Sequence, residues 1–231
     1  MLLYYITDRS AFPGTESERR GALLRRIADA ARAGVDYIQL REKDLATREL
    51  EKLAREAVRA VRDSSPSTRL LINSRTDVAL ACGADGVHLP GDDLAASEVR
   101  TLWMKCSGRA PLIGVSAHAI DDVRLAYSHG ASFAVLAPIF EKVQIAAAGM
   151  GLDALREACS EWRHTHASDG FSVLALGGVT LENAGACLAA GASGVAGIRL
   201  FQTGSVQDTV QHLRAISSTQ RRATQSAPHP S

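Results

Sequence analysis

Ala33-Gly34-Val35-Asp36-Tyr37-Ile38-Gln39-Leu40-Arg41-Glu42-Lys43 is the stretch that decides the fold. Gly34 suits the position just past a helix, where a left-handed backbone closes the last turn. The run from Val35 to Leu40 is β-branched and aromatic, as in a buried strand. Side chains alternate along a strand, so Gln39 and Arg41 share one face and Ile38 and Leu40 share the other. An amide, a guanidinium and the Lys43 amine just beyond gather donors at one strand end. Donors so placed face an anion. The plainer reading is a solvated loop in which Glu42 and Lys43 pair. Inward polar groups are costly unless used, which favours the anion.

The opening phrase recurs. Ala33-Gly34-Val35-Asp36, Cys82-Gly83-Ala84-Asp85, His129-Gly130-Ala131-Ser132 and Ala190-Gly191-Ala192-Ser193 are variants of one unit. Each ends a helix with glycine and turns at once into a short apolar run. Strands read at 2–7, 35–40, 70–73, 86–89, 112–116, 133–137, 172–176 and 194–197. Helices read at 16–33, 47–62, 78–81, 95–105, 121–128, 152–164, 182–189 and 206–216. Strict alternation implies parallel pairing. Eight such units close into a (β/α)8 TIM barrel, which typically needs about 250 residues. An open doubly wound sheet is the alternative, but it needs edge strands unlike its central ones, and the repeat argues against that. The reading is one domain over residues 1–216, followed by a disordered polar tail over 217–231.

Hydrophobic residues are 46% and charged residues 22% of the 231, an ordinary globular balance. With 26 Lys and Arg against 25 Asp and Glu, nothing in the net charge of +1 calls for nucleic acid or a membrane surface. Any anion must be held by a local cluster. Met1–Ile6 is too short for a membrane span or signal core, so the expected location is the cytoplasm. Cys82, Cys106, Cys159 and Cys187 show no CxxC spacing and read as reduced, small apolar residues rather than as a zinc site.

In a barrel the chemistry sits at the C-terminal ends of the strands. Gly177, Gly178, Gly197, Ile198 and Arg199 would expose backbone N–H groups after strands seven and eight, where barrels commonly hold a phosphate. Tight turns without a ligand are the plain alternative. Arg41, Lys43, Asn73 and Asp93 combine cations with a carboxylate, which suits a diphosphate carried with Mg²⁺. Asp92 and Asp93 could equally cap the helix that follows. His88 reads as a satisfied core histidine. Ser116 and His118, two apart, could face the same way, but no Gly-x-Ser-x-Gly elbow supports a hydrolase.

These residues in this order resemble the thiamine phosphate synthase/TenI family. The likeness rests on Tyr5-Ile6-Thr7-Asp8, Gln39-Leu40-Arg41-Glu42-Lys43, Ile72-Asn73, Gly86-Val87-His88-Leu89 with Asp92-Asp93, Gly114-Val115-Ser116-Ala117-His118, Pro138-Ile139-Phe140, Gly177-Gly178 and Gly194-Val195-Ala196. The resemblance implies a transferase of thiamine biosynthesis. It would join hydroxymethylpyrimidine diphosphate to a thiazole phosphate and release pyrophosphate. Gln39, Arg41, Lys43 and Asn73 would then contact the diphosphate substrate. Asp93, helped by Asp92, would hold Mg²⁺. Arg41, Lys43 and Ser116 would serve the departing diphosphate, and His118 and Lys142 would line the site. Gly177, Gly178, Ile198 and Arg199 would hold the thiazole phosphate. A homodimer is left open.

The chain departs from the family's synthases in three places. Ser74 stands where they carry a second metal-binding Asp, Glu141-Lys142-Val143-Gln144-Ile145 replaces a Pro-Thr-x-Thr-Lys loop, and Arg199 replaces a frequent Ser. Leu89-Pro90 and Phe140-Glu141 are similar to the TenI branch of thiazole tautomerases, yet Pro138 stands where that branch has its catalytic His. Synthase chemistry is the leading expectation. A TenI-like tautomerase and a non-catalytic barrel that binds thiamine phosphates are the rivals.

Overall fold

The computed structural model describes residues 1–140, 149–165 and 170–225, with backbone alone at 162–165 and 220–225. Strands β1 (Leu2–Ile6), β2 (Tyr37–Leu40), β3 (Arg69–Asn73), β4 (Gly86–Leu89), β5 (Leu112–Ala117), β6 (Phe133–Leu136), β7 (Ser172–Ala175) and β8 (Gly194–Gly197) close into one parallel barrel in chain order. The ring shuts where Leu3 pairs with Val195. Around it lie α1 (Glu16–Ala33), α2 (Thr47–Ser64), α3 (Thr76–Cys82), α4 (Ala96–Ser107), α5 (Ile120–Ser128), α6 (Gly151–Thr165), α7 (Ala184–Ala190), the single turn α8 (Arg199–Gln202) and α9 (Val206–Gln225).

The repeated phrase has a physical job. Gly34 sits at φ 91°, and its N–H closes the end of α1 on Ala30 and Ala31. The last residue of the phrase then ties down the start of the preceding strand. The Leu3 N–H donates to Asp36 Oδ2 (2.7 Å), Leu70 to Asp85 Oδ2 (2.9 Å) and Ile113 to Ser132 Oγ (3.1 Å). These strand-initial donors would otherwise lack a partner at the barrel floor.

Two apolar clusters follow from strand alternation. Tyr4, Ile6, Leu71, Phe133, Val135, Leu174 and Ala196 fill the bore. Ile38 and Leu40 belong to the shell between barrel and helices. Phe133 meets Tyr4 edge-on at 5.3 Å and stacks on Tyr37 at 5.2 Å. Gly114 permits this packing. A Cβ there would lie 2.3 Å from the Phe133 ring and 2.7 Å from His88 Nδ1.

The tail differs from expectation. The last helix does not stop at Ile216 but runs to Gln225. Its apolar stripe ends near Leu213, yet no Gly or Pro follows Gly204 until Pro228, so nothing breaks the helix. Ser217 is buried and accepts a hydrogen bond from the Met1 amine at 3.2 Å. Residues 226–231 lie outside the described residues. Cys82, Cys159 and Cys187 are buried, Cys106 is exposed, and all are free thiols. No helix among the described residues is long and apolar enough to cross a membrane.

Candidate active site

The donor cluster is held from below by a buried ion pair. Thr7 Oγ1 donates to Glu42 Oε1 at 2.6 Å and accepts the Arg41 N–H at 3.0 Å. Glu42 is only 5% exposed. Arg9 donates to Glu42 Oε2 from its backbone N–H and from Nη1, both at 3.1 Å. The same guanidinium grips Asp44 with two bonds of 2.7 Å and Glu16 through Nε at 2.8 Å. Burial pushes the Glu42 carboxyl up, against the lowering by Thr7 and Arg9. Asp44 is the largest cause raising the Arg9 guanidinium. The paired-loop reading of Glu42 with Lys43 therefore fails. The partner is Arg9, and Lys43 is exposed. Strand parity carries the missed signal: Glu42 follows Ile38 and Leu40 on the shell face, where an acid needs a buried cation.

Inside the bore, polar side chains form a chain. Gln39 Nε2 donates to the Tyr4 hydroxyl at 2.8 Å. That hydroxyl lies 3.1 Å from His88 Nδ1, and His88 Nε2 lies 2.9 Å from Ser116 Oγ. Burial, and then the charge of Arg41, push the His88 pKa down to about 3. His88 is thus a neutral imidazole with both nitrogens engaged, as read from the sequence. Gln39, expected on the substrate side, spends one amide N–H on Tyr4.

At the mouth, Asn73 ends β3 opposite His88 of β4. Ser74 follows in a left-handed backbone at φ 61° and donates Oγ to Asp93 Oδ2 at 2.7 Å. Asp93 Oδ1 accepts from the Leu94 N–H. The capping role considered for Asp92 and Asp93 is overturned: the N-cap of α4 is Ala95, whose N–H donates to Glu98. Both aspartates precede the helix and are exposed. Arg75 turns aside onto Asp77 and Thr47.

Across the ring from β3 and β4, the ends of β7 and β8 open a cavity of about 760 Å³. Gly177, Gly178, Ile198 and Arg199 line it. Gly177 and Gly178 both have positive φ, 94° and 66°. A Cβ on Gly177 would lie 2.7 Å from Pro138 Cα. Two left-handed glycines in a row bring backbone, not side chain, to the cavity wall. His118 and Ser116 have different hydrogen-bond partners, Ser116 bonding to His88. His118 is exposed, and its Nδ1 donates to the Ala137 carbonyl at 2.8 Å. Lys142, with 141–145, lies outside the described residues.

Residues 3–201 match the family described as thiamine monophosphate synthase. The chain belongs to that family. A putative thiamine-phosphate synthase of Geobacter sulfurreducens is 41% identical over 196 residues, covering 84% of this chain and 83% of the relative. A thiamine-phosphate synthase of Chlorobium luteolum is 33% identical over 223 residues, covering 95% and 94%. Among solved structures, a thiamine phosphate pyrophosphorylase from Pyrococcus furiosus superposes with a TM-score of 0.73 at 26% identity, over 94% of this chain and 96% of its own. A 3-hexulose-6-phosphate synthase, at 18% identity and TM-score 0.66, shares the barrel alone. Membership places the chain in thiamine biosynthesis. Within the family frame, Arg9, Glu42 and Tyr4 are the residues that sequence reading passed over.

Proposed function

We propose that the protein is a thiamine-phosphate synthase, coupling hydroxymethylpyrimidine diphosphate to thiazole phosphate with release of pyrophosphate. One arrangement supports this reading: the two groups of residues read as anion subsites belong to opposite sides of one barrel. The ends of β2, β3 and β4 bring Arg41, Lys43, Asn73 and Asp93, and the ends of β7 and β8 bring the Gly178–Ile198 cavity. A donor cluster for a diphosphate opposite a backbone cradle for a monophosphate matches two phosphorylated substrates that must meet.

Mg²⁺ fits the donor set in a limited way. Asp93 offers an exposed carboxylate, Asp92 lies beside it, and no group of three or more His, Cys, Asp or Glu gathers among the described residues. Such a site suits a cation that keeps most of its waters and is brought by a diphosphate. When bound there, Mg²⁺ would neutralise charge on the leaving diphosphate.

The protein's own residues do the rest. Arg41 and Lys43 would take up diphosphate charge, and Ser116, near the C-terminal end of β5, would lie beside the departing group. Ionising the C–O bond to a pyrimidine-stabilised cation needs charge stabilisation rather than a base. Gly178 and Ile198 offer N–H groups to the thiazole phosphate. The test is incubation with both phosphorylated substrates and Mg²⁺, followed by detection of thiamine phosphate. Background product, with aromatisation of a thiazole carboxylate phosphate instead, would overturn it in favour of the tautomerase.

A further inference from the structure

We propose that Tyr4 and His88 form a one-way hydrogen-bond chain, from Gln39 through Tyr4 and His88 to Ser116, that holds His88 as the Nε2–H tautomer and leaves the Ser116 proton free to donate to the ligand. Tyr4 and His88 are positioning residues that act through Ser116. The identity of the ligand rests on the synthase reading; the tautomer does not.

The direction follows from counting protons. An amide N–H can only donate, so the Tyr4 oxygen accepts from Gln39 Nε2 at 2.8 Å. The hydroxyl's single proton then points to His88 Nδ1, 3.1 Å away. An Nδ1 that accepts carries no proton, so the neutral ring keeps its proton on Nε2. Nε2–H therefore donates to Ser116 Oγ at 2.9 Å. Ser116 has its own proton left, and it is half-buried at the mouth. Turning the Gln39 amide over would invert every link, so that Ser116 would donate its proton to His88 Nε2 and have none left for the ligand.

The surroundings keep the ring neutral and in place. Tyr4 of β1, Phe133 of β6 and the bare Gly114 of β5 enclose it. Arg41, beyond β2, opposes a second proton. Tyr4 and Ser116 hydrogen-bond the ring, Asn73 of β3 pairs beside it, and the charge that acts on it is that of Arg41. A neutral, one-way chain suits a leaving anion. As the C–O bond breaks, the electron pair goes to the diphosphate oxygen, and Ser116 donates a hydrogen bond to the growing charge without giving up its proton.

The test uses the full chain labelled with ¹⁵N-histidine. Two-bond ¹H–¹⁵N correlation spectra at neutral pH, with His88 assigned by its absence from His88→Gln, should show a neutral ring protonated on Nε2. A ring protonated on Nδ1, or an imidazolium, overturns the chain. Tyr4→Phe should lower kcat about tenfold with KM for both substrates unchanged. Wild-type kcat in folded Tyr4→Phe overturns the positioning role. His88→Gln, whose amide can still donate to Ser116, should retain more kcat than His88→Leu; equal loss overturns donation from this position. An Nε2–H ring in a protein that forms no thiamine phosphate supports the chain and refutes the synthase reading alone.

Discussion

The Ser74 hydroxyl donates to Asp93 Oδ2 across 2.7 Å, tying the end of β3 to the loop after β4. The resemblance implies a second metal-binding carboxylate at this position; the hydroxyl found there satisfies Asp93 without adding charge. Ser74→Asp should bring two carboxylates together, a pair that repels unless a cation sits between them. The left-handed backbone at φ 61° is one that Asp tolerates. The half-saturating Mg²⁺ concentration for thiamine phosphate formation should fall roughly tenfold, about 1.4 kcal/mol. Superimposable Mg²⁺ curves for the two proteins would refute a metal role for this corner.

Under the synthase reading Arg41 would meet the diphosphate: Thr7 fixes its backbone N–H, and the residue is half-exposed at the end of β2. Arg41→Ala should weaken inorganic pyrophosphate binding by ~1.5–3 kcal/mol, the range for a charge-assisted contact. Calorimetry in the presence of Mg²⁺ reads this directly. Equal affinity in the variant would move the diphosphate site elsewhere.

Arg9 makes the opposite case, a cation whose work is structural. Its contacts with Asp44 and Glu16 reach exposed carboxylates, but its contact with Glu42 is buried on both sides. Arg9→Ala would strand the Glu42 charge and should cost ~3–5 kcal/mol in urea unfolding. A loss below ~1 kcal/mol, the range of a surface pair, would show that water reaches Glu42 after all.

How much of this was legible in the sequence depends on whether a residue's role is local. Gly34, Gly83 and the strand runs between them obey short-range rules, so all eight strands were readable. Gln39 and Asn73 could be placed near one mouth because the C-terminal ends of parallel barrel strands point the same way. The Arg9–Glu42 pair is not legible locally because 33 residues separate its members, and the parallel pairing of β1 with β2 brings them together. The capping role of Asp92 and Asp93 failed because α4 starts after Ala95, whose N–H is accepted by the Glu98 carboxylate. Over 217–225 composition suggests a linker, but Ser-Ser-Thr-Gln contains no helix breaker and the helix runs through it.

Adjacent tyrosines should respond in opposite ways. Tyr5 is fully buried, and its hydroxyl lacks a hydrogen-bond partner among the described residues. Burying an unpaired hydroxyl costs free energy, so Tyr5→Phe should stabilise the protein by about 1 kcal/mol. Tyr4→Phe removes a hydroxyl that serves both Gln39 and His88, and should destabilise by ~1–2 kcal/mol. Thermal unfolding of the two variants side by side decides it. A lower midpoint for Tyr5→Phe would mean that its hydroxyl has a partner.

His88 should leave a signature in acid stability. Its folded pKa lies near 3 because burial, with Arg41 behind it, disfavours the imidazolium, whereas the ordinary value is 6.5. Between these values the unfolded chain binds a proton that the folded chain refuses, so stability rises with pH across that window. The contribution is fully present above the unfolded pKa and drains away as pH falls towards the folded one. His88→Gln removes the titrating group while keeping an amide in its place. Carboxylates shared by both proteins cancel in the comparison. Going from pH 6.5 to pH 5, wild type should lose ~1.5 kcal/mol more than His88→Gln, from linkage at about 1.4 kcal/mol per pH unit. Urea unfolding at those two pH values reads the difference. Parallel losses would mean that the His88 pKa is the same folded and unfolded, and that the ring is not sealed in the bore.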